Sequence, residues 1–363
     1  MIREAQEQQF TISVPGSICL FGEELAPVGL RTIQMAINMR VHVRARTMLD
    51  RVYRVESAAE NRLEEFDPVQ CVGQPGLTDP FRRAVDLLGR EGLTFERGCR
   101  FEIDTEIPPE SGLGYGAAVM VAWVTALLQL CDKLADAPAL QIARTAYEAA
   151  GLDEARPVWM AEYLASAAGG VHVIEHGEEP KMTPVPRAIE GIVIAHADLA
   201  GLPELDMRSA IDTITQAERR LKELDPPLDF AKSSTDDIIA ALQKLPDDLA
   251  RAAYAVAVDR DTTEEACRLL TEEVFDQDAF GEVLDIHHEM LRDHLGIAVP
   301  QIDRLIEMSR LAGALGGKLN VPGGCTATIY APGRTQPVLA ALREAGARPY
   351  VVTKTHGVAF EDL

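Results

Sequence analysis

The stretch Ile107–Leu130, IPPESGLGYGAAVMVAWVTALLQL, limits what this chain can fold into more than any other. The run Cys99–Glu106 (CRFEIDTE) ahead of it reads as a strand, and two prolines then lead into glycines at 112, 114 and 116. From Ala117 to Leu130 no breaker interrupts an apolar segment too long for one strand, so it reads as a buried helix. A glycine-rich loop opening such a helix lets an anion approach backbone N–H groups where the helix dipole favours negative charge. The same glycines also suit a plain tight connection, and the stretch by itself leaves both readings open.

A chain of 363 residues suggests two domains, and 47% apolar with 25% charged residues is an ordinary globular composition. The formal net charge of −22 is spread along the chain. It argues against nonspecific binding to nucleic acid or to an anionic membrane, both of which need basic patches. Six cysteines, at 19, 71, 99, 131, 267 and 325, form neither a CxxC pair nor a zinc spacing. They read as reduced thiols of a cytoplasmic protein. The start, MIREAQEQQF, lacks a signal-peptide apolar region, and no apolar run is long enough for a membrane span.

In chain order, Phe10–Pro15 and the following PGSICLFG read as two strands, Thr32–Arg46 and Asp50–Ser57 as two more, and Glu60–Leu77 as turn-rich. Asp79 and Pro80 open a helix to Arg90 as N-cap and first helical residue. Helices are expected over 138–150 and 158–168, and strands over 171–175 and 191–196. A mainly helical stretch follows, over 204–224, 235–245, 246–258, 278–295 and 301–314. A hairpin turns at Pro322-Gly323-Gly324, and a helix over 335–345 and a strand over 349–353 complete the chain. The texture changes near residue 190. Domains at 1–190 and 191–363 are therefore expected, each mixing strands and helices without strict alternation, which favours an α+β class.

Three motifs in this order resemble the GHMP kinase family (galactokinase, homoserine kinase, mevalonate kinase, phosphomevalonate kinase). PGSICLFGEELAPVGLRTIQMAIN, from Pro15, is similar to the first motif, which reads Pro-Gly-basic, then Gly-Glu-His and an Asp in the galactokinase branch. IPPESGLGYGAA, from Ile107, is similar to the phosphate loop Pro-x-x-x-Gly-Leu-Gly-Ser-Ser-Ala. GGKLNVPGGCTATIYAP, from Gly316, is similar to the glycine-rich third motif. MAEYLASAAGGVHVIE also sits where sugar kinases carry Met-Asp-Gln/His-Tyr. The resemblance implies an N-terminal α+β domain bearing a phosphate loop over 108–118, a C-terminal ferredoxin-like domain, and a ligand cleft between them. It also implies ATP and Mg²⁺ as cofactors and a small-molecule hydroxyl as acceptor. Phosphoryl transfer of this kind rests on positioning and electrostatic stabilisation.

Carried over residue by residue, the match is weakest where chemistry is done. Ser17 takes the basic position, Glu24 follows Glu23 where His is expected, and Ala26 and Pro27 replace the Asp and Tyr. Tyr115 and Gly116 stand for the two serines, one of which normally helps hold Mg²⁺, and Ala161 stands for the Asp. Glu162 is a neighbouring carboxylate, but one helical step turns it by about 100°. The resemblance therefore assigns Glu23 and Glu162 as candidate catalytic groups. Pro108, Gly112, Leu113, Gly114, Tyr115, Gly116 and Ala117 are candidates for the nucleotide, and Glu23, Glu24, Gly323 and Gly324 for the acceptor. No metal ligand set is assigned. The expectation is a catalytically impaired, ligand-binding or regulatory member of the sugar-kinase branch, acting with a protein partner or a second copy of itself. The alternative is an active ATP-dependent kinase for a sugar or similar alcohol.

Other signals are weaker. Gly112-x-Gly114-x-x-Ala117 also fits a dinucleotide fingerprint but lacks its βαβ setting. His288-Glu289 begins like a zinc-protease motif, but Arg292 stands where the second His belongs. His287, His288 and His294 read as polar residues on or between helices, Lys318 as a solvated lysine near a strand start, and Tyr115 as filler for the space of phosphate and metal.

Overall fold

Pro15 cannot donate to a sheet ladder, yet the chain runs through it as one strand, β1 (Gln9–Phe21), where two were expected. Register shifts at Pro15/Gly16 and Cys19/Phe21 absorb the irregularity. The computed structural model describes residues 8–109, 111–151, 157–197, 207–224, 226–297, 299–321 and 325–361. After β1 come β2 (Thr32–Met48), β3 (Tyr53–Ser57), β4 (Arg62–Phe66), α1 (Pro80–Arg90), β5 (Gly98–Thr105), α2 (Tyr115–Leu130), α3 (Ala139–Ala149), α4 (Pro157–Ala168), β6 (Val171–Glu175) and β7 (Lys181–Val185). The strands form one sheet in the order β12-β1-β2-β5-β3-β4, with β6 on β2 and β7 on β6; β12 (Ala359–Glu361) comes from the far end of the chain. All its pairings are antiparallel except that of β3 with β5.

The second unit comprises β8 (Ile192–His196), α5 (Met207–Lys222), α6 (Thr235–Ala241), α7 (Asp247–Thr271), α8 (Gln277–Glu289), α9 (Pro300–Leu311), β9 (Gly316–Leu319), β10 (Thr326–Tyr330), α10 (Thr335–Glu344) and β11 (Arg348–Val352). Its sheet is antiparallel, in the order β11-β8-β10-β9. This is the two-domain α+β architecture expected, with the tail crossing back so that β12 lies on the first sheet.

Local chemistry explains most elements. Asp79 caps α1 by accepting from Arg82 N, with Pro80 at the first position. Helix α2 is buried from Ala117 to Leu128, as a helix apolar on every side must be. Its Trp123 packs edge-on or tilted against Tyr53, Phe81 and Phe101 and donates Nε1–H to Phe81 O at 3.0 Å. Strands β4 and β7 were not anticipated, because RLEEF and KMTPV alternate weakly and are largely exposed. Helix α7 runs well past Val258, its expected end. The segment DRDTTEEACRLLT looks polar, but its Asp259, Thr262, Thr263, Ala266, Leu269 and Leu270 continue the buried stripe. Cys19, Cys71 and Cys99 are buried, while Cys131, Cys267 and Cys325 are only partly so, and none of the six is in a disulfide. Among the described residues no helix is long and apolar enough to cross a membrane.

Candidate functional site

The three motif stretches meet in space. Ser17 N donates to Leu113 O at 3.0 Å, clamping the glycine-rich loop onto β1. A Cβ on Gly16 would stand 2.4 Å from Leu113 O, and one on Gly114 would stand 2.6 Å from Ser17 Oγ. Gly114 also has φ +70°, a left-handed conformation that suits glycine. It precedes α2 as the N-cap and offers no side-chain cap, so the first N–H groups of the helix are left for another acceptor. On the other side, Thr326 Oγ1 of β10 donates to Ser111 O at 2.8 Å. Asn320 Nδ2 donates to that same hydroxyl at 3.0 Å, and Thr328 Oγ1 to Asn320 Oδ1 at 2.7 Å. All three side chains are buried, so a short polar ladder ties the third motif to the loop.

Beneath the loop lies a buried ionic cluster. Lys318 Nζ donates to Glu23 Oε1 at 2.6 Å and to Cys19 O at 3.1 Å. His287 Nε2 lies 3.4 Å from Glu23 Oε2 and 3.3 Å from Glu24 Oε2, and its Nδ1 lies 3.6 Å from Asp259 Oδ1. All five side chains are at most 1% exposed. Burial opposes ionisation of Glu23, but Lys318 and His287 outweigh it and hold the carboxyl at about 2. Burial pushes the Asp259 carboxyl well above its usual range against the pull of His287. The same burial disfavours a charged His287, yet Asp259, Glu24 and Glu23 raise it well above an ordinary imidazole.

Packing brings these groups together. Glu23 and Glu24 sit in the turn after β1, Asp259 on α7, His287 on α8 and Lys318 on β9. Gly281 and Gly316 let α8 lie directly on the start of β9, since a Cβ on Gly316 would stand 2.1 Å from Gly281 O. His288, next along α8, accepts from Leu319 N at Nδ1 (3.3 Å) and bonds Asp303 through Nε2 (2.9 Å). Burial lowers its proton affinity, consistent with a neutral ring that bridges α8, β9 and α9. Lys318, read from sequence as a solvated lysine, is instead fully buried: its strand is enclosed on both faces, and only an ion pair makes that tolerable. Glu23 likewise reaches across to β9, where Lys318 pairs with it. Sequence reasoning missed Asp259, His287 and Lys318 as one cluster. Asp259 and His287 had a signal, since each interrupts an apolar helical stripe (Ala252, Val256 and Ala266; Phe280, Leu284 and Leu291).

The remaining candidates separate from this cluster. Ala161 is fully buried on α4. Glu162, one position on, is partly buried, and desolvation raises its carboxyl to about 8. Tyr115 donates its hydroxyl to Glu60 Oε1 at 3.0 Å, toward the β3–β4 turn. Pro108 is half-buried and Gly116 exposed, whereas Leu113 and Ala117 are in the core. Gly323 and Gly324 lie outside the described residues. A cavity of about 340 Å³ opens beside the first motif, between Arg31, His176 and Arg260. Both guanidinium groups are already engaged there, Arg31 by Glu175 and Glu264, Arg260 by Asp261 and the carbonyls of Phe230 and Ser233.

The chain matches the family model "GHMP kinases N terminal domain" over residues 80–161 and "GHMP kinases C terminal" over 265–348. The chain belongs to the GHMP kinase family. It is 26% identical to a mevalonate kinase of Pyrococcus abyssi, over 97% of each chain. It is 25% identical to a galactokinase of Roseiflexus, over 90% of this chain and 86% of that one. In structure it resembles Lactococcus lactis galactokinase complexed with galactose, with TM-score 0.81 and 20% identity over 97% of this chain and 95% of that one. The mevalonate kinase of Methanococcus jannaschii follows the same fold, with TM-score 0.70 and 16% identity over 97% and 100% of the two chains.

GHMP kinases are ATP-dependent, so the loop can be tested for fit to a nucleotide and its metal. Phosphate suits it: left-handed Gly112 and Gly114 open a 16-residue helix with no side-chain cap. Magnesium suits it poorly. The two serine positions of the family loop hold a tyrosine committed to Glu60 and a glycine, so neither presents a hydroxyl to the ion.

Proposed function

We propose that this GHMP kinase family member is impaired as a phosphotransferase and uses the retained loop to bind an anionic small ligand in a regulatory role. The observation that carries this reading is the Glu23–Lys318 pair. The acidic residue that the sugar-kinase branch would turn toward its acceptor is here neutralised by a lysine of the same chain and closed off from solvent. An acceptor hydroxyl would have to displace an internal ammonium group from a desolvated carboxylate, which costs several kcal/mol. Ala161 and Gly116 support the same reading, because neither offers a base or a metal-holding hydroxyl. If ATP binds, its phosphates would lie against the N–H groups of Tyr115, Gly116 and Ala117, with the Gly112–Gly114 turn shaping the cradle.

The test is calorimetric titration of ATP with and without Mg²⁺, followed by a coupled phosphotransfer assay with galactose and with mevalonate. Those acceptors are chosen because the relatives are named for them. Nucleotide binding independent of Mg²⁺, with turnover at background, is the expected result. Mg²⁺-dependent phosphorylation of either acceptor would end the proposal.

A second reading, an ATP-dependent kinase for a sugar or similar hydroxyl compound, draws on Glu162. Its carboxyl, raised to about 8, lies near the range where a general base works best at neutral pH. On that reading Glu162→Gln abolishes turnover while nucleotide affinity is unchanged.

A further inference from the structure

We propose that Glu23, Glu24 and His287 form a buried site for a divalent transition-metal ion of the zinc type, joining the first-motif turn to helix α8. The inference goes beyond the reading above and does not depend on it.

Three observations carry it. The first is geometry. His287 Nε2 stands 3.4 Å from Glu23 Oε2 and 3.3 Å from Glu24 Oε2. None of these atoms is hydrogen-bonded, although each is buried. With metal–ligand bonds near 2.1 Å, two ligand atoms around a tetrahedral ion are separated by about 3.4 Å. The spacing is that of a coordination edge, and the three donor atoms all lie within 4.8 Å of one another.

The second is unmet valence. Both oxygens of Glu24, both of Asp259 and both ring nitrogens of His287 lack hydrogen-bond partners, and these residues are 0% exposed. A native interior rarely leaves one such group unsatisfied, and this cluster leaves several pointing at one another. Asp259 is placed as the carboxylate that orients a ligating histidine. It lies 3.6 Å from His287 Nδ1, the ring nitrogen that does not face Glu23 and Glu24.

The third is charge. Three carboxylates face one lysine ammonium group in a water-excluded site, with the ring of His287 between them. Metal binding displaces the proton that burial favours on Asp259 and the one that the carboxylates favour on His287. Without those protons the cluster sums to −2, and a dication brings it to zero. Two carboxylates and an imidazole are a nitrogen–oxygen donor set, which suits zinc and its neighbours better than magnesium or calcium. Because all three donors are sealed from solvent, the ion is a structural staple between the two units.

The test uses the full-length protein, purified without a metal-affinity step, with metal content measured by plasma mass spectrometry. About one equivalent of a transition metal per chain is expected, falling at least tenfold in Glu24→Gln and in His287→Gln. Dipicolinate added during unfolding and refolding should lower the melting temperature. Zn²⁺, but not Mg²⁺, should restore it. Co²⁺ in its place should give visible d–d absorption bands. The wild-type refolding experiment decides independently of how well either variant folds. Protein refolded with excess Zn²⁺ that carries less than about a tenth of an equivalent, with an unshifted melting temperature, overturns the site. Metal retained at full stoichiometry in a folded Glu24→Gln/His287→Gln protein places it elsewhere and overturns the site as well.

Discussion

Lys318 Nζ of β9 lies 2.6 Å from Glu23 Oε1, in the turn after β1, and neither side chain is more than 1% exposed. The pair crosses from the second sheet to the first at the point where the three motifs converge, so it bears on both stability and ligand access.

Removing one partner leaves a bare charge in a dry interior. Lys318→Met is expected to cost about 3–5 kcal/mol, measured by urea unfolding at pH 7. In metal-free protein the double variant Lys318→Met/Glu23→Gln should recover part of that loss, because the Glu23 carboxylate is then no longer left without its ammonium partner. Equal destabilisation of single and double variants would mean the two residues are not energetically coupled.

The fold was legible from sequence where pattern and chemistry agreed. Asp79-Pro80 announced α1, and the unbroken apolar run announced α2. Glycines 112 and 114 marked the loop. The cluster was not legible, for a physical reason: its members come from a turn, two helices and a strand, and no local period links Glu23 to Lys318. Only Asp259 and His287 carried a clue, as ionisable residues on apolar stripes. Edge strands β4 and β7 escaped because exposed, charge-rich strands carry little hydrophobic alternation. The site was half visible. The loop could be placed residue by residue, while the fate of the acidic positions depended on what the other domain put opposite them.

The loop glycines differ in what a methyl group would meet. Gly114→Ala places a Cβ 2.6 Å from Ser17 Oγ at φ +70°. It should destabilise by about 2 kcal/mol or more and abolish anion binding at the start of α2. At Gly116 nothing lies within 4 Å of the added carbon. Gly116→Ala should therefore be neutral to about 1 kcal/mol stabilising, as expected inside the first turn of a helix. Thermal melts and ATP titrations of both variants check the contrast, and similar losses in the two would contradict the clamped-loop geometry.

Acid sensitivity should trace partly to His176, which lines the cavity beside the first motif and hydrogen-bonds Thr32 Oγ1 at 3.1 Å. Burial lowers its pKa from 6.5 to about 4. Between those values the unfolded chain holds the extra proton, so stability falls as pH drops from about 6.5 to about 4. A contribution on the order of 2 kcal/mol is expected from this residue. His176→Asn should flatten that limb of the stability–pH curve, and an unchanged limb would assign the loss to other groups.

Glu162 should act in the opposite direction. Its carboxyl is raised from 4.5 to about 8 by desolvation alone, so the folded protein holds a proton that the unfolded chain releases. Its stabilising share is complete below about 4.5 and disappears as pH rises through about 8. Glu162→Gln keeps the shape of the protonated acid and cannot ionise. It should match the wild type at pH 5 and exceed it by about 2 kcal/mol at pH 9, where the wild type must bury a carboxylate or open the site. Chemical unfolding at the two pH values measures this. The same variant separates the two functional readings, because a stabilised protein with any wild-type turnover intact rules out Glu162 as a base. If turnover is present in the wild type and lost in the stabilised variant, the carboxylate is chemical rather than structural.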